Sequence, residues 1–204
     1  MLTYLSLSCN TCNSLCSLTN LKVLHINKIL KNVSIESFYP SSLKFLQCYS
    51  NSLPKKVPIT QLVLNVSLKE HNTYHYSCLC SLKILGLVSH LILLPTSLTS
   101  LTVSCFGLSQ NHISFKDLNY INVKELHIEN CITQNVELPS CLDSLYLHYS
   151  VFEIINPIIV YTLVLNESKI NSEMIQKDFI KNFYSKRSKE SEFINTEWYY
   201  HFLN

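Results

Sequence analysis

The residues best placed to do chemistry are two histidines and a glutamate in the second half of the chain. His127 and Glu129 are two residues apart, and His148 follows 19 residues after Glu129. If their segments are neighbouring parallel strands, about 4.8 Å apart, the three side chains converge. Two imidazoles and a carboxylate suit a zinc site or an acid–base pair. The alternative is a polar surface cluster without catalytic geometry. We favour that alternative and predict no catalytic residue, no metal and no cofactor.

The cysteines are the second group that could do chemistry. Cys9 and Cys12 have the spacing of a metal-binding thiolate pair, with Cys16 four residues further on, but no second pair with matching spacing follows. Cys12 also occupies an apolar position of the pattern described below, which favours a core thiol. The total of nine is odd, whereas a secreted disulfide framework normally uses an even number. We therefore predict reduced, mostly buried cysteines in a cytoplasmic or nuclear protein.

The composition excludes several classes of function. With 47% hydrophobic and 15% charged residues among 204, the chain is too apolar to be disordered. A net charge of +2 is too small for a dedicated nucleic-acid or membrane-surface binder, so we expect neither partner. Two glycines are too few for a glycine-rich phosphate loop. No apolar run is long enough to span a membrane, and the residues after Met1 do not read as a signal peptide.

The elements that must position these residues are set by a repeated pattern, apolar-x-x-apolar-x-apolar. Its nine copies begin at spacings of 16 to 25 residues, about 20 on average. Four prolines each stand three residues before the first apolar position of a copy, which suits the start of a strand; they are Pro40, Pro95, Pro139 and Pro157. The copies are Leu2-Leu5-Leu7, Leu21-Leu24-Ile26, Leu43-Leu46-Cys48, Ile59-Leu62-Leu64, Leu82-Leu85-Leu87, Leu98-Leu101-Val103, Val123-Leu126-Ile128, Leu142-Leu145-Leu147 and Val160-Leu163-Leu165.

The copy from Leu43 to Leu53 fits L-x-x-L-x-L-x-x-N-x-L with Cys48 for one leucine. Residues 1–170 therefore resemble the short leucine-rich repeats, in the L-P-x-x-L-x-x-L-x-L form. The resemblance implies an α/β-type solenoid, mostly β. It would be a curved leucine-rich-repeat solenoid of about nine repeats, with one parallel sheet on the concave face and short extended or 3-10 segments on the convex face. At the asparagine position, where the side chain bonds the neighbouring coil, later copies have Cys131, Ser150 and Ser168.

Both ends of the chain depart from the repeat. Asn171 and Ser172 offer a helix N-cap, and Ile175, Phe179 and Phe183 follow at helical spacing. We therefore predict a C-terminal helical and aromatic cap over 171–204, ending in the aromatic run 198–203. No polar cap precedes Leu2, so the chain is either a fragment of a longer array or protected there by self-association.

The concave face carries our functional prediction. Its strand positions mix aromatic rings, imidazoles and amides with few charges, a composition that suits binding of a protein partner of unknown identity. We predict a non-enzymatic protein–protein interaction module, a scaffold rather than an enzyme. The alternative is the substrate-recognition fragment of a larger enzyme or regulator of the ubiquitin ligase, phosphatase or kinase type. The predicted partner-binding residues are Tyr4, His25, Phe45, Gln47, Tyr49, Asn65, His127, Glu129, Tyr146, His148 and Asn166.

Overall fold

The computed structural model describes residues 2–8, 14–28, 38–49, 53–54, 57–67, 76–87, 94–105, 111–113, 115 and 118–186. In this part of the chain, short parallel strands stack into a mostly β solenoid, and the helical segments are three-residue 3-10 turns. The strands are β1 Tyr4–Leu7, β2 Val23–Ile26, β3 Phe45–Tyr49, β4 Gln61–Ser67, β5 Ser81–Leu87, β6 Ser100–Ser104, β7 Asn111–Ile113, β8 Glu125–Glu129, β9 Cys131–Val136, β10 Cys141–His148, β11 Val151–Ile154, β12 Ile159–Asn166, β13 Lys169–Ile170 and β14 Asn182–Lys186.

Ten of the strands form one parallel sheet, in the order β1-β2-β3-β4-β5-β6-β8-β10-β12-β14. Its register places the central leucine of each coil beside that of the next, as predicted from the repeat. Alternate side chains of a strand point to opposite faces, so these leucines form a continuous buried row. From β2 onwards the row is at most 1% exposed and comprises Leu24, Leu46, Leu62, Leu82, Leu101, Leu126, Leu145 and Leu163.

The fifth repeat does not have the predicted frame. Leu82, not Leu85, pairs with Leu62 on one side and Leu101 on the other. Leu85 lies beside Asn65 and Ser104 on the opposite side of the sheet and is only half-buried. The repeat is therefore Leu79-Leu82-Ile84. In the predicted frame Leu82-Leu85-Leu87, Ile84 and Gly86 would point outward, but both are buried.

A second sheet, absent from our prediction, covers another side of the solenoid. Its four parallel strands have the order β13-β11-β9-β7. Three of them follow a strand of the ten-stranded sheet after a sharp corner, at which Asn130, Tyr149 and Glu167 have φ angles of 54°, 48° and 49°. The left-handed region is common for asparagine but costly for a bulky side chain, so Tyr149 and Glu167 are strained at the corner position that Asn130 adopts readily.

A ladder of side-chain hydrogen bonds runs beside this corner. Ser150 Oγ accepts from Cys131 N at 3.2 Å and donates to His148 O at 2.8 Å. Ser168 Oγ repeats the pattern one coil later, accepting from Ser150 N at 3.0 Å. These are the residues predicted at the asparagine position of the repeat, and their hydrogen-bonding role is confirmed. They pair backbone groups that would otherwise be buried without partners.

Two asparagines that follow strands of the second sheet also pair backbone groups of the preceding coil. Asn156 Oδ1 accepts from Leu138 N at 2.8 Å, and its Nδ2 donates to Leu138 O at 2.9 Å. Asn171 forms the same two bonds with Ile154, at 2.8 and 2.6 Å. Each carboxamide therefore forms the two backbone hydrogen bonds that a residue of a neighbouring strand would otherwise form. Asn171 has this role in place of the helix N-cap that the sequence led us to expect.

The helix predicted after residue 170 is wrong. Two 3-10 turns, Ser172–Met174 and Lys177–Phe179, are followed by β14, which pairs with β12. Phe183 lies next to Leu163 in the leucine row, so residues 171–186 add a coil to the solenoid. The predicted aromatic run, 198–203, lies outside the described residues, as do Cys9 and Cys12. In the described part of the chain, no helix has the length and hydrophobicity needed to cross a membrane.

Candidate partner-binding face

All eleven predicted binding residues lie on the side of the ten-stranded sheet that points away from the core. We call this side the sheet face. Its side chains form columns across the strands; one column contains His25, Gln47, His127 and Tyr146. None of the eleven residues is buried, and Tyr4 and Tyr146 are 54% and 37% exposed. The structure brings most of them together in two groups.

The amino-terminal group spans β1, β2 and β3. The His25 ring lies between Tyr4 and Phe45, with centroid distances of 5.3 and 5.1 Å. His25 Nδ1 is 2.9 Å from Gln47 Oε1, a hydrogen bond that requires the proton on Nδ1. Stacking and hydrogen bonding therefore fix the orientation of the imidazole. The three rings form a row, and its end at Tyr4 is exposed to solvent. Tyr49 is the next outward-facing residue of β3 after Gln47, and it lies beside Asn65 of β4.

The carboxy-terminal group spans β6, β8 and β10. Glu129 is its centre, with Oε1 3.3 Å from His148 Nδ1 and Oε2 accepting from Ser104 Oγ at 2.8 Å. The Glu129 and His148 side chains are about one third exposed, so water screens their attraction. Beyond them, Asn166 lies next to His148 on β12.

Tyrosine rings border this group on two sides. His127 contacts Tyr146 at a centroid distance of 5.6 Å, and His148 stacks on Tyr149 at 4.3 Å. Burial lowers the pKa of His127, Lys83 and His148 lower it further, and the Glu129 carboxylate opposes them. His127 therefore favours its neutral form, in which the ring packs against Tyr146 without the cost of burying a charge.

Sequence reasoning did not select Tyr149 or Lys83. Tyr149 is half-exposed at the strained corner, and nothing in the repeat pattern marks its positive φ angle. Lys83 belongs to the fifth repeat, for which the predicted frame was wrong. One signal for the correct frame was available, the turn Tyr76-Ser77-Cys78-Leu79. In this turn Leu79 N donates to Tyr76 O, as Leu98 N donates to Pro95 O in the next coil.

The polar side chains of the carboxy-terminal group contact one another in separate pairs. Ser104 donates to the Glu129 carboxylate rather than to an imidazole. His148 pairs with Glu129, whereas His127 faces Tyr146. Among the described residues, no group of three or more His, Cys, Asp or Glu side chains is arranged to hold a metal ion.

Comparison of the chain with known protein families, with curated proteins and with solved structures finds no match. The geometry alone shows the architecture: a repeat protein built as a parallel-strand solenoid.

Proposed function

We propose that this chain is a non-enzymatic interaction module of the leucine-rich-repeat kind, which binds a partner protein through the sheet face. The observation that carries the proposal is the alignment of half-exposed rings, imidazoles and carboxamides across neighbouring strands of one sheet. Tyrosine and other aromatic side chains bury a large area at little entropic cost and are frequent energetic centres of protein interfaces.

The preorganisation of the two groups supports the same proposal. His25 is held by Gln47 and two rings, and Glu129 by Ser104 and His148. Side chains that are already ordered lose less entropy when a partner binds, which favours affinity. We place the protein in a reducing compartment, cytoplasmic or nuclear. The odd number of cysteines and the packing of Cys48 and Cys131 as buried free thiols support this placement.

The test is a charge placed in the middle of the carboxy-terminal group. Tyr146→Glu is expected to reduce partner capture roughly 30-fold or more, the effect of losing an interface hot spot. Tyr120→Glu is the matched control, because Tyr120 is 78% exposed in a 3-10 turn away from the sheet face. Each variant serves as bait in native lysate, and captured proteins are quantified by mass spectrometry.

Circular dichroism of both variants establishes that the fold is intact. Partners lost with Tyr146→Glu but kept with Tyr120→Glu would support the proposal. If both variants retain the same partners as the wild-type chain, binding does not use this part of the sheet face and the proposal fails there. Tyr4→Glu then tests the amino-terminal group in the same way.

A further inference from the structure

Two buried cysteines meet under the carboxy-terminal group. Cys131 Sγ lies 3.3 Å from Cys105 Sγ and 2.9 Å from Glu129 O. Both cysteines are almost inaccessible to solvent, at 1% and 0% exposure. They belong to neighbouring coils, since Cys105 follows β6 directly and Cys131 begins β9. The side-chain ladder of the corner thus continues from Ser168 and Ser150 to a pair of thiols.

We propose that Cys105 and Cys131 form a disulfide when a peroxide reaches them, and that this bond locks β6 to β8 and β9 beneath the carboxy-terminal group. The sulfur atoms must approach by roughly 1 Å to reach the length of a disulfide, a movement that side-chain rotation can supply.

The reaction consumes one peroxide. The single S–H proton of Cys131 has two acceptors within reach, Glu129 O at 2.9 Å and Cys105 Sγ at 3.3 Å, so Cys131 is held as the thiol and Cys105 is the sulfur that attacks first. The Cys105 sulfur, as thiolate, attacks a peroxide oxygen, which breaks the O–O bond and yields a sulfenic acid and water from hydrogen peroxide. The Cys131 sulfur then displaces the sulfenic oxygen, which leaves as a second water with the thiol proton. Two thiols are oxidised and hydrogen peroxide is reduced to two waters.

Burial and hydrogen bonding make this pair slow to react, but a disulfide between the two cysteines would restrain the strands around it. The hydrogen bond to Cys105 and burial raise the pKa of the Cys131 thiol, so its attack on the sulfenic sulfur of Cys105, which needs the thiolate, is expected to accelerate with rising pH. Ser104 and Glu129, which are hydrogen-bonded to each other, are close along the chain to Cys105 and Cys131. A disulfide therefore restrains the strand segments that carry the centre of the carboxy-terminal group, whether or not the sheet face binds a partner.

The experiment uses the full chain, in which the three exposed cysteines of its described part, Cys16, Cys78 and Cys80, are changed to serine. The reduced protein is exposed to hydrogen peroxide at pH 8.5, remaining thiols are alkylated, and peptides are identified by mass spectrometry. We expect a cross-linked Cys105–Cys131 peptide, lighter by two hydrogens than the two reduced peptides together. Cys131→Ser is the control that should fold, because serine occupies this ladder position in the next two coils; it must abolish the cross-link.

Hydrogen exchange provides the second measurement. In the oxidised protein, amides of β6 and β8 are expected to exchange several-fold more slowly, whereas those of β2 and β3 are unchanged. The proposal is overturned if Cys105 and Cys131 are both recovered alkylated after denaturation, or if peroxide couples either of them mainly to another cysteine. A cross-link without added protection in β6 and β8 would overturn the locking of the two coils.

Discussion

The register of the fifth coil is the sharpest test of the architecture, because two leucines three residues apart exchange roles between the two possible frames. Leu82 is 1% exposed and continues the row between Leu62 and Leu101. Leu82→Ala removes a fully buried side chain and should cost roughly 2–5 kcal/mol. Leu85 is half-buried on the sheet face, so Leu85→Ala should cost about 1 kcal/mol, in proportion to the apolar surface that is shielded from water.

Urea unfolding followed by circular dichroism measures the difference. Stacked repeats can unfold in parts, so the two variants are compared by their midpoints only if their slopes agree with the wild-type chain. Leu145→Ala, in the same buried row, provides a reference for the cost of a core truncation. If Leu85→Ala destabilises the protein as much as Leu82→Ala, the fifth repeat has the frame Leu82-Leu85-Leu87 and the register described above is wrong.

Three further predictions concern polar groups. Ser150→Ala leaves the buried Cys131 amide without its acceptor and should cost roughly 1–3 kcal/mol, with faster hydrogen exchange at that amide; unchanged exchange would contradict the ladder. Asn156→Ala should cost a similar amount, about 1–3 kcal/mol, because Leu138 loses partners for both N–H and C=O, and an unaltered urea midpoint would argue against it. Because folding lowers the pKa of His127, the unfolded chain takes up the imidazole proton at a higher pH than the folded chain does. The contribution of His127 to stability is therefore complete above pH about 6.5 and falls as the pH drops through that value. His127→Gln should therefore flatten the decline in urea midpoint between pH 7.5 and 5.5, and an identical decline in both proteins would refute this assignment.

The sequence predicted the solenoid because its signal is repeated. Each coil contributes inward residues at the same three positions, and an error in one coil leaves the others intact. The parallel sheet, the leucine row and the hydrogen-bonding role of Ser150 and Ser168 all followed from that pattern and are confirmed. The second sheet was not predictable in this way, because its strands vary in length from two to six residues and share no regular apolar spacing.

Both errors arose where one segment fits two patterns. Residues 79–87 satisfy the repeat in two overlapping frames, and only the neighbouring coils decide between them. Residues 175–183 place apolar side chains at helical spacing, but Ile180 and Phe183 also have the spacing of a repeat. The strand forms because β14 can pair with β12 and bury Phe183 against the leucine row, which outweighs local helical preference.

The sheet face was predictable as a surface but not as two groups. Strand alternation identifies which residues point outward, so all eleven were placed correctly on the sheet. The alignment of the repeats placed His127, Glu129 and His148 on neighbouring strands, and Glu129 does contact His148. It gave no indication that Ser104 would donate to Glu129 or that His127 would face Tyr146. Tyr149 joins the carboxy-terminal group through a backbone angle that sequence does not reveal.

The uneven coil lengths are compatible with one continuous sheet face on an irregular repeat. Coils of 16 residues, between Leu46 and Leu62, and of 25 residues, between Leu101 and Leu126, both return their leucine to the same row. In the longer coil, β7 and the 3-10 turn Leu118–Tyr120 lie outside the ten-stranded sheet, where loop length costs little free energy. Strand spacing in a parallel sheet is near 4.8 Å, so the arrangement of side chains on the sheet face depends on register alone. Insertions in the connecting segments can then accumulate without moving the amino-terminal and carboxy-terminal groups relative to each other, whereas a shift of one residue in any strand would turn its outward side chains into the core.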